Sequence, residues 1–342
     1  MRAGAVTAAK NSEEEKVQLA KYSVLLTSWM IKEDDQNLQR LREAGCEIST
    51  HYWHDGRDEE EMLKLVPGVE AAIVSIDPFT PRVLAAADKL RVISRTGVGY
   101  DAIDIPTATE KGIVVATTPG ANETAVADFT FAMLLAISRK VIENDRNVRQ
   151  GKWTRVAGDD PSEKTIGIVG LGTIGKKVAR RASGFDMRIL AYDVVKDEAF
   201  ARANGIAYVE LDDLLAQADF VTLHVPLMAA TRNLINEERL RRMKPTAYIV
   251  NTSRGGVIDE VALYRALKEG WLAGAALDVF EQEPPWGSPL LTLDNVLVAP
   301  HVAGNSKGAQ EKVIAMACEN ALRVLKGEPP LHAVNPQALR KP

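Results

Sequence analysis

Between residues 166 and 175 an apolar run passes straight into a glycine pattern, Ile166-Gly-Ile-Val-Gly170-Leu-Gly172-Thr-Ile-Gly175. A helix-like segment follows (Lys176 to Ala182), then a second apolar run, Met187 to Tyr192, ending at Asp193. Strand, glycine turn, helix, strand and terminal acid, in that order, specify one βαβ unit built around a dinucleotide. Each glycine has its own reason. Gly170 permits the tight turn, Gly172 lets the backbone approach a pyrophosphate, and Gly175 lets helix and strand pack closely. The helix start offers unpaired N–H groups and a positive dipole end to the phosphates. Asp193 is placed to accept the adenosine ribose hydroxyls and to repel a 2′-phosphate. Val194 and Val195 follow it, with Lys196 the nearest cation, so the expected cofactor is NAD rather than NADP.

The same alternation recurs on both sides of this unit. Upstream, apolar runs begin at Val24, Ala71, Arg91 and Ile113, with helix patterns at Asn37 to Glu43 and Pro81 to Asp88. Downstream, Phe220 to His224, Ala247 to Asn251, Gly274 to Asp278 and Val296 to Ala299 read as strands, each followed by loop residues. This is an α/β chain with two doubly wound parallel sheets: a Rossmann NAD-binding domain and a flavodoxin-like substrate domain. The turn cluster Thr117-Thr-Pro-Gly120 marks a boundary between them. Asn122 to Asn147 reads as one long helix with a broad apolar stripe. A last helix, Ala309 to Leu325, begins after the second sheet is complete and is expected to return to the first domain. The division is therefore 22–118 with 302–335 for the substrate domain and 119–301 for the nucleotide domain.

The chain has 342 residues, enough for two domains, with 46% hydrophobic and 26% charged residues. A net charge of −4 gives no reason to expect a nucleic-acid partner. Cys46 and Cys318 form neither a disulfide framework nor a metal-ligand spacing, so no metal is expected. Residues 1–21 are rich in Ala, Glu and Lys and read as a loose extension without the apolar core of a signal peptide. No apolar run approaches the roughly 18 residues of a membrane span, and the expected location is the cytoplasm.

Ligands of open α/β sheets bind at the strands' carboxyl ends, and three ionisable residues fall in those loops. Arg254 lies in Asn251-Thr-Ser-Arg-Gly-Gly, Glu283 in Asp278-Val-Phe-Glu-Gln-Glu-Pro-Pro, and His301 in Val298-Ala-Pro-His. Oxidoreduction at C2 of a 2-hydroxy acid calls for such a set. An arginine fork holds the carboxylate and carbonyl, a histidine exchanges the proton, and a carboxylate behind it orients the ring. Taken singly, each has a structural alternative: a surface arginine, a solvated loop acid, a capping or core histidine. His51, His54, His224 and His332 lack this context; His224, before Val225-Pro226, borders the cofactor rather than transferring protons.

At these motifs the sequence resembles the D-isomer-specific 2-hydroxyacid dehydrogenases, above all their phosphoglycerate dehydrogenase branch. The match runs from about Val24 to Leu325. It includes Arg95-Thr-Gly-Val-Gly-Tyr-Asp-Ala-Ile-Asp104, Gly151-Lys-Trp153, the Gly170 fingerprint, His224-Val-Pro-Leu, Asn251 to Asp259, Gly274 to Phe280 and Pro300-His301. The resemblance implies Arg254, Glu283 and His301 as the catalytic set, with His301 the proton donor in reduction. It implies a substrate loop at Val98 and Gly99 whose backbone N–H groups hold the carboxylate. Thr173, Ile174, Asp193, Val225, Thr252, Ser253, Asp278 and Gly304 fall on its cofactor positions. It also implies a homodimer built through a helix and arm at 122–155, with Trp153 directed toward the partner. Asn305 departs from the serine many phosphoglycerate enzymes carry there. The chain ends soon after Leu325, so feedback through the regulatory domain many of them carry is not expected. Phosphoglycerate is the first substrate candidate, with Arg95 a phosphate ligand or the partner of an internal acid. Glyoxylate or hydroxypyruvate comes next. An NAD-sensing corepressor-like interaction protein is the alternative of another class, disfavoured by the lack of low-complexity tails or a basic face.

Overall fold

The structure, a computed structural model, describes residues 21–52 and 58–340. The N-terminal stretch up to Ala20 and His54 lie outside the described residues. In chain order the first part runs β1 (Tyr22–Leu26), α1 (Gln36–Glu43), β2 (Cys46–Thr50), α2 (Glu59–Leu65), β3 (Ala71–Val74), α3 (Pro81–Ala86), β4 (Val92–Arg95), α4 (Ile105–Glu110) and β5 (Val114–Ala116). Two helices follow, α5 (Glu123–Ser138) and α6 (Val141–Arg149). The second part is β6 (Thr165–Val169), α7 (Thr173–Ser183), β7 (Arg188–Tyr192), α8 (Glu198–Ala203), β8 (Ile206–Tyr208), α9 (Leu211–Gln217), β9 (Phe220–Leu223), α10 (Glu237–Arg242), β10 (Tyr248–Asn251), α11 (Glu260–Lys268), β11 (Gly274–Leu277) and β12 (Val296–Val298). The last helix is α12 (Lys307–Leu325).

The first sheet has five parallel strands in the order β2-β1-β3-β4-β5, the flavodoxin-like doubly wound arrangement. The second has seven, β12-β11-β10-β9-β6-β7-β8, a Rossmann order extended by one strand. Central strands such as Ala71–Val74 and Thr165–Val169 are buried along their whole length, because helices cover both faces. Alternate residues then enter separate cores. Ile166 and Ile168 pack with α5 and α7, while Val169 packs with α9 and α11.

The stretch from Asn122 to Asn147 is not one helix. Lys140 adopts a left-handed conformation, φ 54°, and splits it into α5 and α6. The chain returning past α6 explains the break. The Ser138 carbonyl, which a continuous helix would give to Ile142, instead accepts the Asp159 N–H at 2.8 Å. Gly158 passes so close that a Cβ there would lie 2.3 Å from the same oxygen.

After β12 the chain crosses back to the first sheet. Helix α12 packs on β1, β3 and β4 through Ile314, Ala317, Cys318 and Ala321, and the Ser94 hydroxyl donates to the Ala317 carbonyl at 2.8 Å. The segment beyond it pairs antiparallel with edge strand β5 at Ala333–Ala116, and the Asn335 side chain accepts the Val115 N–H at 2.8 Å. A sheet edge that would otherwise expose a row of backbone groups is thereby covered. No helix among the described residues is long and apolar enough to cross a membrane, and no cluster of His, Cys, Asp and Glu among them could hold a metal.

Candidate active site

The strand order sets the site. Asp193 follows β7, the Gly170–Gly175 turn follows β6, His224 to Pro226 follow β9, and Thr252 to Arg254 follow β10. Asp278 and Glu283 follow β11, and His301 follows β12. Six neighbouring strand ends thus present these residues in one line along the carboxyl edge, across the point between β6 and β9 where the strand order reverses.

The glycine turn has the shape its residues require. Gly170 has φ 96°, and a Cβ there would lie 2.7 Å from the His224 carbonyl oxygen. A Cβ on Gly175 would lie 2.1 Å from the Gly170 oxygen, so helix α7 closes directly on the turn. Gly172, the N-cap of α7, has nothing within 4 Å of such a Cβ and no side-chain cap, leaving the N–H groups at Thr173 and Ile174 facing open space. Asp193 ties the turn to β7: its two oxygens accept Leu171 N–H at 2.7 Å and Val195 N–H at 3.0 Å. Both ring nitrogens of His224 are buried without a partner, and burial drives its pKa down to about 3. Together, an uncapped helix start, open space over Gly172 and an unpartnered neutral imidazole fit a bound dinucleotide.

Further along the edge, the Thr252 and Thr130 hydroxyls lie 2.9 Å apart, and Ser253 donates to the Asn251 side chain at 2.8 Å. The buried Asp278 carboxylate accepts Val302 and Ala303 N–H groups, each at 2.8 Å; burial nevertheless leaves its carboxyl above the ordinary range. The Gly304 backbone packs against Asn122, where a Cβ would meet Nδ2 at 2.8 Å.

Glu283 and His301 come from different loops and meet. His301 Nδ1 lies 2.7 Å from Glu283 Oε2, while Glu283 Oε1 accepts Phe280 N–H at 3.1 Å. A carboxylate only accepts, so Nδ1 carries the hydrogen and Nε2 is the nitrogen left for a substrate proton. The His301 backbone, at φ 52°, is anchored by its N–H to the Asp278 carbonyl at 2.8 Å. Gly255, next to Arg254, holds the two loops together: a Cβ there would lie 1.8 Å from the Phe280 carbonyl carbon.

Arg254 reaches across to the first domain. Its Nε donates to Asp101 Oδ1 at 2.8 Å and its Nη1 to the Ser253 carbonyl at 2.7 Å. Its Nη2 lies over Gly99, 1.4 Å from where a Cβ would stand, so any side chain there would displace the guanidinium. Beneath this loop, Arg95 is buried and donates Nε–H to the Gly99 carbonyl at 2.7 Å. Burial and the neighbouring Arg254 charge bring its pKa down to about 10, so it remains a cation near neutral pH. Val98 is exposed, as are Trp29, Tyr52, Ile76 and Tyr100 in the loops after β1 to β4. Asp101 and Gly255 act on partners in other loops, so no local pattern announces their roles.

A dinucleotide-type turn, an arginine and a carboxylate-backed histidine on one edge define a nicotinamide-dependent oxidoreductase of the α/β class. The chain belongs to the D-isomer specific 2-hydroxyacid dehydrogenase family: residues 131–303 match that family's NAD binding domain. It is thereby an NAD-dependent D-2-hydroxyacid dehydrogenase. A glyoxylate reductase of Korarchaeum cryptofilum is 50% identical over 278 residues, covering 79% of this chain and 84% of the relative. A D-3-phosphoglycerate dehydrogenase of Archaeoglobus fulgidus is 40% identical over 305 residues, covering 88% of this chain but 57% of that one. Among solved structures, a glyoxylate reductase from Paecilomyes thermophila superposes with TM-score 0.81 at 32% identity, covering 92% of this chain and 99% of that chain.

Proposed function

We propose that this protein reduces small unphosphorylated 2-keto acids, glyoxylate to glycolate and hydroxypyruvate to D-glycerate. The carrying observation is the character of the first domain's loops. Among the described residues after β1, β3, β4 and β5, the one exposed Lys or Arg is Lys32, which Glu33, Asp34 and Asp35 follow. Arg95 is buried beneath the substrate loop with its Nε–H given to the Gly99 carbonyl, and Asp77, after β3, adds a buried acid. A phosphate dianion needs accessible cations; this rim is apolar instead. The sequence motifs rank 3-phosphoglycerate first. The loops and the glyoxylate reductase relatives support the other order.

Bound NADH supplies the hydride to C2. In this reading the Arg254 guanidinium and the Val98–Gly99 backbone hold the substrate carboxylate. His301 Nε2 gives its proton to the carbonyl oxygen as that oxygen gains charge. Glu283 fixes the ring and stabilises its protonated form until the proton leaves. Thr173, Ile174 and Asp193 hold the adenosine end and pyrophosphate; His224, Val225, Pro226, Thr252, Ser253, Asp278 and Gly304 line the rest. The substrate domain comprises 22–118 and 302–335. Exposed Val141, Ile142, Val148 and Trp153 on α6 and the arm support a homodimer through this face, and two buried free cysteines suit the cytoplasm.

The test is NADH oxidation with glyoxylate, hydroxypyruvate, pyruvate and 3-phosphohydroxypyruvate. Higher kcat/KM for glyoxylate or hydroxypyruvate supports the proposal. Preference for the phosphorylated acid overturns the substrate assignment, and silence despite NADH binding overturns the activity itself.

A further inference from the structure

Arg254 does not stand alone in the cleft. Asp101, 153 positions earlier and in the loop after β4, accepts its Nε–H at 2.8 Å. With Nη1 held by the Ser253 carbonyl, the guanidinium has one outward orientation, with Nη2 over the Gly97–Gly99 turn. The same turn has the Arg95 guanidinium beneath it, so two cations approach each other around one stretch of backbone. Their repulsion drives Arg254 outward into solvent unless an anion offsets it. Asp101 is that anion, and Arg254's charge and hydrogen bond keep its carboxyl below the ordinary range although partial desolvation opposes them.

We propose that Asp101 is a positioning residue for catalysis: by accepting Nε–H it aims the Arg254 guanidinium over Gly99, where a 2-keto acid's carboxylate and carbonyl are received. This rests on the reading of Arg254 as the substrate clamp. Asp101 does not touch the reacting atoms; it acts through Arg254. Because the pair joins the two domains' loops, the clamp is assembled only when those loops stand this close.

A double-mutant cycle tests it, with kcat/KM for glyoxylate and the dissociation constant of NADH as readouts. Asp101→Ala is expected to lose about 10- to 100-fold in kcat/KM while NADH binding stays within about 2-fold. Asp101→Asn keeps an oxygen for Nε–H but loses the charge that offsets the two arginines, and is expected to fall between wild type and Asp101→Ala. In an Arg254→Lys background, which removes the fork, Asp101→Ala is expected to cost less than about 3-fold further. An equal loss in both backgrounds, or no loss in either, overturns the proposal. Asp101→Glu keeps the charge but lengthens the arm; a loss of about 10-fold there supports placement, and full activity overturns it even if Asp101→Ala does not fold. Wild-type inactivity on glyoxylate would instead count against the substrate reading. Harmless Arg254→Lys would count against the clamp. Neither resembles the additive result that defeats Asp101 alone.

Discussion

Replacing Gly255 with alanine probes how the site is held. The Cβ of Gly255→Ala would stand 1.8 Å from the Phe280 carbonyl carbon, 2.1 Å from its oxygen and 2.3 Å from Glu281 N. Ordinary contact begins near 3.4 Å, so this backbone must retreat by about 1.6 Å. The same backbone carries the Phe280 N–H that fixes Glu283 Oε1, three residues before the carboxylate bonded to His301. Catalytic groups tolerate displacements of roughly 0.5 Å, and about 1 Å costs on the order of 100-fold in rate. Gly255→Ala should therefore lower kcat by about 100-fold or more. The glycine turn and Asp193 lie on the other side of the switch point, so the loss in kcat should exceed any loss of NADH affinity. Steady-state kinetics with glyoxylate and NADH fluorescence titration measure the two. Retention of kcat within about 3-fold, with the protein folded, would refute the claim that loop approach at Gly255 places Glu283.

Three further outcomes follow from the geometry. His224, whose pKa falls from an ordinary 6.5 to about 3, is neutral when folded but takes up a proton when unfolded in that window, so stability drops as pH falls below 6.5. Near pH 5 the loss is about 2 kcal/mol, and urea denaturation of apo His224→Leu at about pH 7 and 5 should show a smaller fall by that amount; an unchanged pH dependence contradicts it. Asp193→Ala, losing the acceptor for Leu171 and Val195 N–H, should raise the KM for NADH by about 10-fold or more and erode preference over NADPH in a paired-cofactor assay. Burial pushes Cys46 upward and Cys318 up to about 12, so a thiol reagent should modify neither in the native protein and both after unfolding, as mass spectrometry would show.

What could be read from the chain divides along physical lines. The fingerprint was legible because the glycines act on their own backbone: the turn at Gly170 and the closure at Gly175 depend on residues within a few positions. Arg254, Glu283 and His301 were legible as loop residues after apolar strands, but the 2.7 Å contact between the last two depends on β11 lying beside β12. Asp101 and Gly255 carry no local signal, since one pairs with a residue 153 positions away and the other touches a backbone in the next loop. The break at Lys140 was hidden for the same reason: lysine is not a turn residue, and Asp159 causes the break from a distance. Edge strands β2 and β8 carry a weak local signal for different reasons: Glu47, Ser49 and Thr50 interrupt the apolar pattern of β2, and β8 is only three residues long.

The proton-transfer role of His301 is tested most directly by His301→Asn, assayed with glyoxylate and NADH alongside NADH titration. We expect NADH affinity within about 2-fold of wild type and a loss of about 100- to 10,000-fold in kcat. Undiminished turnover in that variant would contradict the assignment of the proton to His301 and, with it, the chemistry drawn from the Glu283 contact.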